Sequence, residues 1–138
     1  MHKSGFVNII GNPNVGKSTL INKLVGEQLS IITSKVQTTR HRILGIVNGD
    51  NFQLVISDTP GIIKPAYSLQ KSMMDFVKEA VEDADIILYV IEIGEKINVE
   101  KKLHQKFVDG TIPVIFLINK IDLSTQNDVD LTIQTIHQ

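Results

Sequence analysis

Short apolar runs alternate along this chain with stretches whose apolar residues recur every three or four positions, the mark of strands alternating with helices. Phe6 to Ile10 forms a short apolar run ending in Gly11, and Leu20, Ile21 and Leu24 follow at helical spacing until Gly26, a C-terminal stop. This predicts strand, glycine loop, helix. Glu27 to Arg40 is polar, rich in Ser and Thr and without period; it is long for a loop in a compact domain, and we expect it to be mobile and functional. Ile43 to Val47 and Phe52 to Ser57 flank Asn48-Gly49-Asp50-Asn51, whose Asn-Gly favours the positive φ angles of a tight turn, so the two strands are expected to pair antiparallel. Leu69, Met73, Phe76, Val77, Ala80, Val81 and Ala84 mark one face of a helix, with Met73 and Met74 read as core filling rather than a partner surface. Asp85 to Ile93 and Ile112 to Ile118 are almost wholly apolar, as strands buried on both faces must be, and are expected to be the central strands of a parallel sheet. Ile97, Leu103 and Phe107 suit a helix between them, and Val129, Ile133 and Ile136 the start of another.

Composition narrows the picture. The 138 residues suffice for one domain with a sizeable core, and 42% hydrophobic with 21% charged residues describes an ordinary globular chain. With 14 lysines and arginines against 15 acids, the net charge of -1 gives no global field for a polyanion, so any nucleic-acid contact is local. No cysteine is present, which excludes disulfides, thiolate nucleophiles and thiolate zinc sites and fits a reducing compartment; the cytoplasm is the default. The longest apolar run, Ile86 to Ile91, falls far short of a bilayer span, and the first residues lack a signal-peptide layout, so neither export nor a membrane span is expected. His2, His41, His104 and His137 have no metal-ligand spacing and are assigned no chemistry.

Three loops carry the candidate chemistry. Gly11-Asn12-Pro13-Asn14-Val15-Gly16-Lys17-Ser18, with Thr19 beyond it, fits G-x-x-x-x-G-K-[ST] and lies between a predicted strand and a predicted helix. Gly11 and Gly16 let backbone N–H groups turn toward a polyphosphate, the helix N-terminus adds partial positive charge, Lys17 bridges the outer phosphates and Ser18 ligates Mg²⁺. This loop does not choose between adenine and guanine. Asn119-Lys120-Ile121-Asp122 follows an apolar strand, where α/β folds bind ligands. The Asp122 carboxylate accepts from N1–H and the exocyclic amine of guanine, whereas adenine presents an unprotonated N1 and leaves the acid unpaired. Lys120 would lay its stem over the base, and Asn119 would tie this loop to the phosphate loop. Asp58-Thr59-Pro60-Gly61, followed by Ile62, closes a third strand, so that Asp58 reaches the metal through water and the Gly61 N–H bonds the terminal phosphate, a hydrogen bond that breaks when that phosphate leaves.

In this order and spacing the loops resemble a translation-factor-class P-loop GTPase domain. The run Gln37-Thr38-Thr39-Arg40-His41-Arg42, the Gly-Asn-Pro-Asn-Val-Gly-Lys-Ser loop and Gly61-Ile62-Ile63-Lys64-Pro65 resemble the Era-like family rather than its relatives Der and TrmE. The resemblance spans nearly the whole chain. It implies a three-layer α/β/α fold with a mostly parallel sheet and one antiparallel edge strand, and GTP hydrolysis as a Mg²⁺-dependent switch between GTP and GDP states. It implies that Thr39 ligates Mg²⁺ and contacts the terminal phosphate, with Thr38 the adjacent alternative. Arg40 and Arg42 are read as solvated loop and strand positions in preference to cis arginine fingers. Where Ras-like enzymes place a glutamine that orients water, this chain has Ile62, so charge or positioning must come from elsewhere. In related potassium-activated GTPases the asparagine matching Asn14 helps hold K⁺ beside the phosphates, and Asn14 as a plain loop former is the competing reading.

The family also implies a sixth strand, a closing helix and a C-terminal KH domain that binds the end of 16S ribosomal RNA during 30S subunit assembly, and none of these is found before Gln138. The chain is therefore expected to be a truncated GTPase domain in which Ile112 to Ile118 becomes an unprotected edge that promotes self-association. Peripheral association with the inner face of the cell membrane is implied by resemblance alone. Two other readings stay open: a guanine-nucleotide-binding module with negligible turnover, and a P-loop ATPase or kinase.

Overall fold

The computed structural model describes residues 1–26, 41–95, 105 and 109–136. Its elements run β1 (Lys3–Gly11), α1 (Lys17–Val25), β2 (Ile43–Gly49), β3 (Phe52–Asp58), α2 (Ser68–Glu82), β4 (Ile86–Glu92), β5 (Val114–Asn119), a 3₁₀ turn (Ile121–Leu123) and α3 (Gln126–Ile136). The five strands form one sheet in the order β2-β3-β1-β4-β5, parallel except for β2, which pairs antiparallel with β3 at the edge.

Alternation along the strands sends side chains into two apolar layers. Val7, Ile9, Ile56 and Val90 meet Ile21 of α1 on one face. Ile10, Ile87, Tyr89 and Ile91 meet Val77 and Val81 of α2 on the other, with Ile136 of α3 packed against them. Helices on both faces explain why β1 and β4 read as almost unbroken apolar runs. Gly26 ends α1 with φ 79, its N–H bonded to the Asn22 carbonyl at 3.0 Å. No side chain of Tyr67 caps α2; Gln70 reaches back instead, its Oε1 accepting the Ala66 N–H at 2.7 Å. Thr125 and Asp128 cap the start of α3 reciprocally, the Thr125 N–H donating to Asp128 Oδ2 at 3.0 Å and the Asp128 N–H to Thr125 Oγ1 at 3.4 Å.

The α/β fold, the hairpin and the antiparallel edge strand stand as expected, and four details differ. Among the described strands Ile112 to Ile118 lies at the edge, as expected where no sixth strand follows and not at the centre as its apolar run alone predicts, with Ile115 48% exposed; the central strand is β1. The hairpin turn is Asp50-Asn51, because Gly49 pairs with Phe52, and the Asn-Gly step lies in the strand without positive φ. On α2, Leu69 is exposed and Phe76 only half-buried, since the sheet beneath meets the stripe of Met73, Val77, Ala80 and Val81. Arg42 is neither solvated nor aimed at a ligand; its side chain is 14% exposed and paired with Asp83. The loop from Glu27 to Arg40 and the helix expected around Ile97, Leu103 and Phe107 lie outside the described residues. No helix among the described residues is long and apolar enough to cross a membrane.

Candidate functional site

The carboxyl ends of β1, β3, β4 and β5 lie along one edge of the sheet and place Gly11, Asp58, Glu92 and Asn119 there, the edge at which open α/β sheets bind ligands. Between β1 and α1 the chain turns through Gly11 (φ 152), Asn14 (φ 63) and Gly16 (φ 104). Backbone in such turns presents N–H groups to an anion, and α1 begins at once with Lys17, no side chain capping its N-terminus and no acid in its first turn. Val15 is buried in the α1-side core and anchors the loop from below. A Cβ at Gly16 would collide with the side-chain amide of Asn119, so the glycine serves close approach as well as backbone freedom.

Lys17 is only 6% exposed, and its Nζ donates to the Asn12 carbonyl at 2.6 Å. Burial pulls its pKa down to about 8, against the opposing fields of Asp58 and Glu95. Ser18 Oγ donates to Asp58 Oδ2 at 2.6 Å, which brings together the two side chains expected to hold a metal. The second Asp58 oxygen, Oδ1, is buried without a hydrogen-bond partner. A buried carboxylate oxygen left unpaired is costly unless a cation or its water completes it.

After β3, Thr59 Oγ1 donates to the Ile9 carbonyl at 2.8 Å, fastening the sensor loop to β1. Pro60 and Gly61 are buried, and the Ile62 N–H donates to the Gly11 carbonyl at 2.9 Å. Gly61 lies so close to the phosphate loop that a Cβ there would stand 2.6 Å from Pro13 N. The Ile62 side chain packs against the α2-side core and lines a cavity with Asn12, Pro13, Ile63 and Met74.

After β5, Asn119 Nδ2 donates to the Val15 carbonyl at 2.8 Å, the tie expected from sequence. Lys120 adopts left-handed φ 59 and donates from Nζ to the Asn14 carbonyl and to Glu92 Oε2, both at 2.9 Å. Ile121 and Asp122 are exposed on the 3₁₀ turn beyond. Thr19 is exposed in the first turn of α1. Thr38 and Thr39 lie outside the described residues. Sequence reasoning missed Glu92 and Glu95; the available signal was a lone acid closing the apolar run of β4, with a second one three residues on.

Residues 6–120 match the family model described as 50S ribosome-binding GTPase. A curated relative, GTPase Era of Clostridium beijerinckii, is 45% identical over 130 residues, covering 94% of this chain and 44% of the relative. Among solved structures, Era in complex with MgGDPNP and nucleotides 1506-1542 of 16S ribosomal RNA superposes with a TM-score of 0.88 at 43% identity, covering 99% of this chain and 47% of that one. NFeoB from S. thermophilus bound to GDP.AlF4- and K+ gives a TM-score of 0.62 at 30% identity, covering 89% of this chain and 46% of that one. The chain thus spans less than half the length of each of these relatives.

Proposed function

The chain belongs to the 50S ribosome-binding GTPase family, and from that premise we propose that it binds guanine nucleotide with Mg²⁺ and hydrolyses GTP to GDP and phosphate as a conformational switch. One observation carries the reading: the phosphate loop, the Ser18–Asp58 pair and the base-reading loop occupy one sheet edge and are tied together by Asn119 to Val15 and Lys120 to Asn14. In it Gly11 to Thr19 cradle the phosphates, and Asp122 pairs with the donor edge of guanine, which adenine lacks.

Ser18 and Asp58 would hold Mg²⁺, joined by Thr39 or its neighbour Thr38, which lie outside the described residues. The unpaired Asp58 Oδ1 fits that role. Among the described residues no three acids or histidines cluster, as suits a Mg²⁺ completed by phosphate oxygens and water. When bound, the metal neutralises charge on the phosphate oxygens. Lys17 adds a buried cation, and the Gly61 N–H meets the terminal phosphate, so that its loss releases the sensor loop. Ile62 has no group to orient water. Asn14 is our candidate for holding K⁺ beside the phosphates, a reading supported by the K⁺ in the NFeoB relative.

By likeness to Era, whose structure holds 16S ribosomal RNA, this reading places the protein in ribosomal RNA maturation and 30S assembly in the cytoplasm. Calorimetric titration with GDP and Mg²⁺, with ADP as control, tests the site. Micromolar or tighter GDP binding with none for ADP is expected; equal binding of both overturns the base assignment. Single-turnover GTP hydrolysis then separates the switch from a binding module, and faster turnover in KCl than in NaCl at equal ionic strength tests Asn14.

A further inference from the structure

The turn leaving β4 folds back toward the phosphate loop. Gly94 takes φ 78, and the Glu95 N–H donates to the Glu92 carbonyl at 3.0 Å. Both oxygens of the half-buried Glu95 carboxylate are thereby engaged: Oε2 accepts the Glu92 N–H at 2.9 Å, and Oε1 accepts from the side-chain amide of Asn12, the second residue of the phosphate loop. The carbonyl of that same Asn12 receives Lys17 Nζ at 2.6 Å.

The other acids at this edge stand differently, Asp122 being exposed on the 3₁₀ turn. Asp58 faces Ser18 and the proposed metal, and Glu92 pairs with Lys120 at 2.9 Å. Glu95 has no lysine or arginine within ion-pair distance among the described residues. A fixed, half-buried negative charge therefore sits beside the seat of a polyanion, close enough for its field to act on Lys17.

We propose that Glu95 is a specificity-determining residue of the nucleotide site, its carboxylate weakening the binding of a nucleoside triphosphate more than that of the diphosphate and so biasing the chain toward GDP. The inference rests on the guanine-nucleotide reading and adds to it a determinant of the balance between the two states. The physical basis is the one extra unit of negative charge that the triphosphate carries past a carboxylate which the fold holds in place. A residue that only props Asn12 would lose its effect in Glu95→Asp as in Glu95→Gln, since either change disturbs that contact, whereas the charge survives in Asp.

The test is competitive binding of GDPNP and GDP to the full chain with Mg²⁺ at low ionic strength. Glu95→Gln and Glu95→Ala are expected to raise the ratio of GDPNP to GDP affinity about 3- to 10-fold, the size of one unit charge acting across a partly solvated gap, and the gain should shrink in added salt. Glu95→Asp, which keeps the charge, should leave the ratio near wild type, as should Glu79→Gln on the exposed side of α2. A ratio unchanged in both neutral variants overturns this inference alone, and so does an Asp variant that shifts it as far as Gln does. Failure of wild type to bind either nucleotide overturns the guanine-nucleotide reading, and this inference with it.

Discussion

Arg42 grips Asp83 at two points, Nη1 lying 2.5 Å from Oδ2 and Nη2 2.9 Å from Oδ1, and so fastens the start of β2 to the end of α2. The pair opens onto a polar network inside the sheet. Asn8, fully buried in β1, accepts from Arg42 Nη2 at 3.2 Å and from Ser57 Oγ at 2.7 Å, and donates to the Ala80 carbonyl and to Asp83 Oδ1. Asn8 and Ser57 are register partners on adjacent strands, so the network crosses β3 and β1 to reach the helix. It joins Arg42, the residue just before β2, to the end of α2.

Removing Arg42 should cost more than a surface ion pair does, because Asn8 and Ser57 behind it stay buried. Arg42→Ala is expected to destabilise the fold by about 2 to 3 kcal/mol in urea denaturation. Asp83→Asn, at a half-exposed site, should cost about 1 kcal/mol. A double-mutant cycle should return a coupling of about 1 kcal/mol or more; strict additivity would show that the pair does no structural work.

Gly61→Ala tests how closely the sensor loop must sit. The added methyl would meet backbone atoms of Pro13, 2.6 Å from N and 2.7 Å from Cα, and backbone cannot swing aside as a side chain does. The loop should shift off the phosphate loop and stretch the bond from Ile62 N to the Gly11 carbonyl. Single-turnover GTP hydrolysis is expected to fall on the order of 100-fold, with GDP affinity changed less than about 3-fold. An equal loss in both would mean that the substitution damages the whole site.

The sequence made the site more legible than the sheet. The residues of the three loops obey local rules of spacing and of position after a strand, and the loops lie at the strand ends where those rules put them. Strand order depends on partners far along the chain. The apolar run ending at Ile118 therefore reads the same whether β5 is central or an edge. The tie from Asn119 to Val15 was foreseeable because the asparagine adjoins a recognised motif. Glu95 was not, because its meaning comes from a fold-back at Gly94 that brings it to Asn12, 83 positions away. Arg42 looked solvated for the same reason; its partner Asp83 meets it only once α2 has packed on the sheet.

Asp122→Asn should exchange one base for another. A carboxylate can accept two hydrogen bonds from guanine; an amide offers one acceptor and one donor. Xanthine presents N1–H beside a carbonyl oxygen, which matches that pair. GDP affinity is expected to drop about 100-fold or more while xanthosine diphosphate gains measurable binding. The exposure of Asp122 on the 3₁₀ turn makes loss of folding a poor explanation for such a switch, and a thermal melt unchanged from wild type would exclude it.

Lys17 ties the site to pH, and the sign follows from its burial. Its pKa in the fold is about 8, below the ordinary lysine value of 10.5, chiefly because the ammonium is desolvated. Between those two values the unfolded chain binds more protons than the folded one, so this group makes stability rise with pH across that window. Below it, the buried charge is a standing cost of about 3 kcal/mol. Lys17→Met should therefore stabilise the protein by about 1 to 3 kcal/mol at pH 7, a gain that fades toward pH 10, while abolishing nucleotide binding. A bound polyphosphate restores the preference for the ammonium, so GDP binding near pH 8.5 should take up a fraction of a proton. Calorimetry in buffers of different ionisation enthalpy reads that uptake directly, and an enthalpy independent of buffer would falsify the assignment of Lys17 as the buried cation that meets the phosphates.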